Sequence, residues 1–189
     1  MLAGNLEYVI SSLPNLSFND SEALQHEVSS IFHKYALVTE ASSDLISILN
    51  TETKKFLSSR EFEHFQQIQL KTIHLAKFQN SKNAVIAEFS NFMFQLKQEL
   101  RTYRIAKKSD KTISKINYEI IEVLYENPLE AEQQLLELQW QKLEALSIGH
   151  YSDFSSLILY KFKLELLLRW WCFDTEIGFE IFQQTLNVE

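Results

Sequence analysis

Apolar residues recur along this chain mostly at steps of three and four, the period that gathers them on one side of an α-helix. The clearest run is Val85, Phe89, Phe92, Leu96, Leu100 and Tyr103. It predicts a helix from Lys82 to about Lys107, roughly 39 Å long at the α-helical rise. Before it, Phe62, Phe65, Ile68 or Leu70, Ile73 and Phe78 fall near one side of another helix, capped by Ser58 or Ser59 and reaching about Gln79. Asn80 to Asn83 ends that helix, so the pair predicts a long antiparallel hairpin. Nearer the start, Leu24, Val28, Ile31 and Phe32 mark a helix running to about Lys34 behind the cap oxygens of Asn19, Asp20 and Ser21. A short helix is expected near Ser43 to Leu49. Leu6 to Ile10 is the one strand-like stretch, too short and isolated to found a sheet, and is expected as an extended lead-in.

The polar stretch from Lys107 to Lys115 reads as an internal linker. A helical segment is expected from about Ile116 to Tyr125. Asn127-Pro128-Leu129-Glu130 then starts a helix on local chemistry alone. The asparagine accepts from orphan amides, proline has the φ of the first helical position, and the glutamate reaches back from the third. Leu135 or Leu136, Trp140, Leu143 and Leu146 are its buried side, and Gly149 lets the chain leave it in a left-handed conformation. Ser152 or Asp153 caps the next helix, apolar nearly all round from Leu157 to Trp171 and therefore central. Asp174 is expected to cap a last helix to about Leu186. The fold class is all-α, a helical bundle with a long antiparallel hairpin and a C-terminal lobe of three to four helices. It is read as a single helical domain over residues 1–189, with lobes 1–107 and 116–189 joined by a linker at 108–115.

Composition agrees with long helices, since three glycines and two prolines in 189 residues leave few sharp turns. The stretch Phe154 to Cys172 has the length of a membrane span, but Lys161, Lys163, Glu165 and Arg169 interrupt it, so no membrane insertion is expected. MLAGNLEYVISS lacks a basic start and breaks at Pro14, so no secretion signal is expected either. Cys172, the one cysteine, lies beside Trp170 and Trp171 and is expected as a buried structural thiol in a reducing cytoplasm. The net charge of −7 argues against a nucleic-acid partner. That charge is uneven: residues 71–115 hold ten Lys/Arg against three Asp/Glu, and residues 116–189 hold four against thirteen.

Candidate chemistry is sparse. Glu61 and His64 have the spacing of one Glu-x-x-His metal motif, but no second copy exists, and no carboxylate or cysteine completes a set with His26 and His33. Neither a Gly-x-Ser-x-Gly elbow nor a glycine-rich phosphate loop is present. No catalytic residue, metal or cofactor is expected. Lys97, Arg101, Arg104 and Lys108 step by four, three and four residues as a cationic stripe, read either as a solvated face or as a contact surface for an acidic protein. Trp140, Trp170, Trp171, Tyr151 and Tyr160 are of the types enriched at binding hot spots, although most are expected in the core. Trp170 and Trp171 cannot share one helix side, so one must pack on a second element or a partner.

Several strings resemble an uncharacterised bacterial family encoded among the genes of V-type ATP synthases. They are Tyr8-Val-Ile-Ser-Ser-Leu-Pro-Asn-Leu-Ser-Phe18, Asn127-Pro-Leu-Glu-Ala-Glu, Leu138-Gln-Trp140, Gly149-His-Tyr151 and Leu166-Leu-Leu-Arg-Trp170, with a weaker likeness over Leu96 to Lys107. The chain departs from the family's more acidic pattern at Gln139 and at Ala145-Leu-Ser-Ile. The resemblance implies a non-catalytic component or assembly factor of a V-type ATP synthase, similar to the helical stalk or rotor connector that links the soluble rotor to the membrane ring. It implies a cytoplasmic protein that meets the inner membrane only through that complex. Lys97, Arg101, Arg104, Lys108, Tyr151, Arg169 and Trp170 are the candidate partner-contacting residues. Without the resemblance, the same residues support a free-standing helical adaptor for an acidic protein.

Overall fold

The computed structural model describes residues 6–35, 44–108, 120–121 and 124–173. Among these the protein is an all-α bundle of eight helices: α1 (Leu6–Ser12), α2 (Glu22–Tyr35), α3 (Leu45–Lys54), α4 (Ser59–Gln67), α5 (Ala76–Gln79), α6 (Ala84–Lys108), α7 (Pro128–Ser147) and α8 (Phe154–Trp171). None of them is long and apolar enough to cross a membrane. Local chemistry sets several starts. Ser58 and Glu61 form a reciprocal capping box on α4, and Asn83 Oδ1 accepts from the Ile86 amide at the start of α6. The Asn127 side chain accepts from the Leu129 amide with Pro128 at the first helical position, and the Asp153 carboxylate accepts from the Ser156 amide at 2.8 Å. After α7, Gly149 takes φ 88°, the left-handed exit expected of it.

The core is one continuous apolar cluster running from Val28 to Leu167 and drawing on every helix from α2 to α8. Helix α8 lies at its centre, with Leu157, Ile158, Phe162, Leu164, Leu166 and Leu167 all fully buried. Asn83 donates to Ser155 Oγ, Phe89 packs on Phe162 with ring centroids 4.9 Å apart, and Lys97 and Arg169 line one groove. Matching contacts in the same order mean that α6 and α8 run in the same direction. Helix α7 runs against both, since Lys142 pairs with Glu88 near the start of α6 while Glu132 pairs with Arg169 near the end of α8.

Four expectations need correction. Leu6 to Ile10 is helical, not extended: Val9 turns into the core, Leu6 and Leu13 pack beside it, and Pro14 follows the end of the helix. The helix expected over 59–79 is divided into α4 and α5. Lys161 Nζ on α8 donates to the carbonyls of Phe65 and Ile68, both at 2.8 Å, and Glu165 accepts from the Leu70 amide at 2.7 Å. Side chains of α8 thus replace the helical hydrogen bonds that residues 65–70 give up. The described part of 116–125 is not helical, because the Glu99 carboxylate accepts from the amides of Ile120 and Ile121 and holds that segment against α6. Cys172 is exposed, since it caps the end of α8 where the helix leaves the core. The linker beyond Lys108 and the helix expected after Asp174 lie outside the described residues.

Trp170 and Trp171 both turn toward the N-terminal segment. The Trp170 ring packs on Phe18 at 4.2 Å, which also lies against Trp140, and Trp171 Nε1 donates to the Asn19 carbonyl at 3.0 Å. Tyr160 donates to the Pro14 carbonyl, and burial pushes its phenol well above the ordinary tyrosine range. The residues between α1 and α2 are therefore anchored by α8 through three aromatic side chains.

Candidate interaction groove

Because Lys97 sits level with Arg169 and α8 ends at Trp171, the last turns of α6 extend about 14 Å past the end of α8. Helix α7 approaches this overhang with its N-terminal half. Between the three helices lies a groove of about 540 Å³. Its floor is Met93, Leu96, Leu100 and Leu135, and Lys97, Arg101, Arg104 and Arg169 stand around it. Ile105, 57% exposed, adds an apolar side chain at its edge.

Four cations meet one carboxylate among the described residues lining the groove. Arg169 pairs with Glu132. Lys97 donates to His74 Nδ1 at 2.9 Å, a contact that needs a neutral imidazole as acceptor. Desolvation and the nearby Lys97 hold the His74 pKa below the usual histidine range, which keeps that acceptor available. Desolvation, followed by the nearby Arg169 guanidinium, lowers the Lys97 pKa, which marks two like charges held close together. Arg101 and Arg104 form no ion pair among the described residues. Gln139 lines the groove as a neutral side chain whose amide donates to the Leu135 carbonyl at 2.8 Å. The groove therefore keeps a positive potential above an aliphatic floor.

Of the candidate contact residues, the structure brings Lys97, Arg101, Arg104 and Arg169 together and separates the rest. Lys108 continues the stripe on exposed surface but does not line the groove. Tyr151, 77% exposed, lies in the turn between α7 and α8, at the opposite end of α8 from Arg169. Trp170 is half-buried on Phe18 and borders a different cleft, with Tyr125 and Glu130. His74, Glu132 and Ile105 were missed by sequence reasoning. Ile105 had a signal, being an aliphatic residue beside Arg104 and off the buried stripe of α6. His74 and Glu132 had none, because Glu132 reaches the groove, and His74 the Lys97 ammonium, only through tertiary packing.

Glu61 and His64 have other partners in the structure. Hydrogen bonds from Ser58 hold the Glu61 carboxyl below its ordinary pKa and turn it toward the helix cap, while His64 stacks on Phe154. His150 contacts the Asp153 carboxylate at 2.6 Å, beside the cap of α8. No group of three His, Cys, Asp or Glu side chains suited to a metal occurs among the described residues. Comparison with known proteins finds no matching family, no matching curated protein and no matching solved structure.

Proposed function

We propose that the protein is a non-catalytic docking component of a V-type ATP synthase, either a constituent or an assembly factor, that engages a protein partner through the groove between α6, α7 and α8. The observation that supports docking is the gathering of Lys97, Arg101, Arg104 and Arg169 around an aliphatic floor, with Glu132 the one carboxylate among the described residues that line it. Exposed cations over apolar surface suit an acidic protein, because the charges steer encounter and the floor holds the docked segment. The family resemblance of the two ends and the C-terminal helices is what directs the reading to the ATP synthase. The groove taken without the resemblance favours a second reading, a free-standing adaptor for an acidic protein.

The test is co-purification of a tagged protein from its native host under gentle, low-salt extraction. Recovery of ATP synthase subunits supports the first reading, and their absence ends it. Recovery of an unrelated acidic protein that is lost on Arg101→Glu/Arg104→Glu selects the adaptor instead.

A further inference from the structure

The positions of the groove cations carry information about the shape of what they bind. Lys97, Arg101 and Arg104 advance by four and three residues along one side of α6, over about 10 Å. A second helix lying along α6 presents its own side chains with the same steps. The floor beside the cations is aliphatic, with Leu100 partly buried and Ile105 exposed at its edge, and no aromatic ring lines the groove among the described residues. Single-stranded nucleic acid gains much of its affinity by stacking bases on aromatic rings, so this floor suits it poorly. A single small anion cannot span the roughly 10 Å over which Lys97, Arg101 and Arg104 are strung.

Resting on the docking reading above, we propose that the groove binds an acidic amphipathic helix of a partner protein. Carboxylates stepping by four and three residues meet Lys97, Arg101 and Arg104, and one apolar side chain from the same helix packs over Leu100 and Ile105. Helix-in-groove recognition of this kind places apolar anchors at helical spacing and uses the flanking charges for orientation. Arg169, already paired with Glu132, forms the far wall.

The probe is a labelled helical peptide of about 20 residues, long enough to hold a helix, with three glutamates stepping by four and three and a leucine beside them. A second peptide has the same composition with the glutamate spacing broken, and a third probe is a single-stranded oligonucleotide. Fluorescence anisotropy should show the registered peptide binding at least about tenfold more tightly than the shuffled one, and weakening as salt rises. Arg101→Glu/Arg104→Glu should weaken it about 30-fold, roughly fivefold per reversed exposed charge. Ile105→Ser should lower affinity without changing the circular dichroism spectrum, because Ile105 is exposed in the free protein.

Equal affinity for the two peptides, tighter binding of the oligonucleotide, or indifference to the charge reversal overturns the proposal. The co-purification experiment separates its fate from that of the docking reading. ATP synthase proteins still recovered with Arg101→Glu/Arg104→Glu keep the association with the ATP synthase and remove the groove as its site. A registered peptide that binds while none of them is recovered does the reverse.

Discussion

Replacing Lys161 by methionine keeps an unbranched side chain out to the Cε position and its apolar contacts but removes the ammonium. The residue is 2% exposed, and its ammonium donates to the carbonyls of Phe65 and Ile68 at 2.8 Å each and stands 4.5 Å from the centre of the Phe65 ring. A hydrogen bond from a charged donor contributes about 1.5–3 kcal/mol, and the ring adds up to about 2 kcal/mol in a dry site. The opposing quantity is the desolvation of the ammonium, several kcal/mol, which also lowers the pKa of Lys161. The bonds outweigh it because the variant does not merely release the charge: it leaves two buried carbonyls without a donor. Glu165 also loses the cation that helps keep it ionised.

The expected loss is about 3 kcal/mol, at the lower end of what removing one partner from a buried charged cluster costs. With an m-value of about 2 kcal/mol/M in urea, the midpoint falls by about 1.5 M. Urea unfolding of wild-type and Lys161→Met protein at neutral pH measures it. A midpoint equal to or above that of the wild type would refute the reasoning, since it would mean that desolvation exceeds both hydrogen bonds.

Three further outcomes follow from single residues. Burial raises the Glu165 pKa above 4.5 by more than the Leu70 amide and Lys161 lower it. The folded protein therefore retains a proton that the unfolded chain has lost, and the associated stability is complete below about 4.5 and lost as pH rises through the folded value. Glu165→Gln should gain on the wild type from acid to neutral pH in urea melts, and a pH-independent difference would contradict this. Ser58→Ala should cost about 1 kcal/mol at neutral pH. Because Ser58 depresses the Glu61 pKa, that cost is present above about 4.5 and should shrink as pH falls through the folded value, as melts in acid will show. Gly149→Ala meets nothing within 4 Å of the new Cβ, so its expected cost of about 1 kcal/mol comes from φ +88° alone, and an unchanged melting temperature would exclude that strain.

Where side chains act on their own backbone neighbours, the sequence was legible. Asn127 with Pro128 and Gly149 sit where local chemistry predicts them, Ser58 and Asp153 are each one of the two caps expected at their helix starts, and the period of Val85 to Tyr103 marks α6 closely. The failures at 65–70 and at 120–121 share one cause, a distant side chain replacing a local bond. Ile68, Leu70 and Ile73 continue an apolar pattern that suits a helix, yet Lys161 and Glu165, more than ninety residues away, take up the backbone groups that a helix would use. Glu99 does the same for Ile120 and Ile121. For the groove, the cations of α6 were legible as a stripe. Their meeting with Arg169 depended on α6 and α8 running in the same direction, which no local pattern encodes.

The clip on residues 65–70 also bears on the groove. Lys161, Glu165 and Arg169 step by four along one side of α8, a stripe that begins buried at Lys161 and emerges at the groove wall as Arg169. The segment it holds continues through the fully buried Ile73, whose carbonyl accepts from Ser90 on α6, to His74, which accepts from Lys97. The same side chains that divide α4 from α5 therefore hold the segment that leads to the imidazole on which the first groove cation rests. Freeing a long side chain forfeits about 0.5–1.5 kcal/mol of ordering that binding must then supply. Lys161→Met, studied where it is still fully folded, should accordingly bind the registered peptide about threefold more weakly, although residue 161 lines no part of the groove. His74→Ala should reproduce that loss with little effect on the urea midpoint. Wild-type affinity in both variants would mean that Lys97 is oriented without His74, and the link between core and groove would fail.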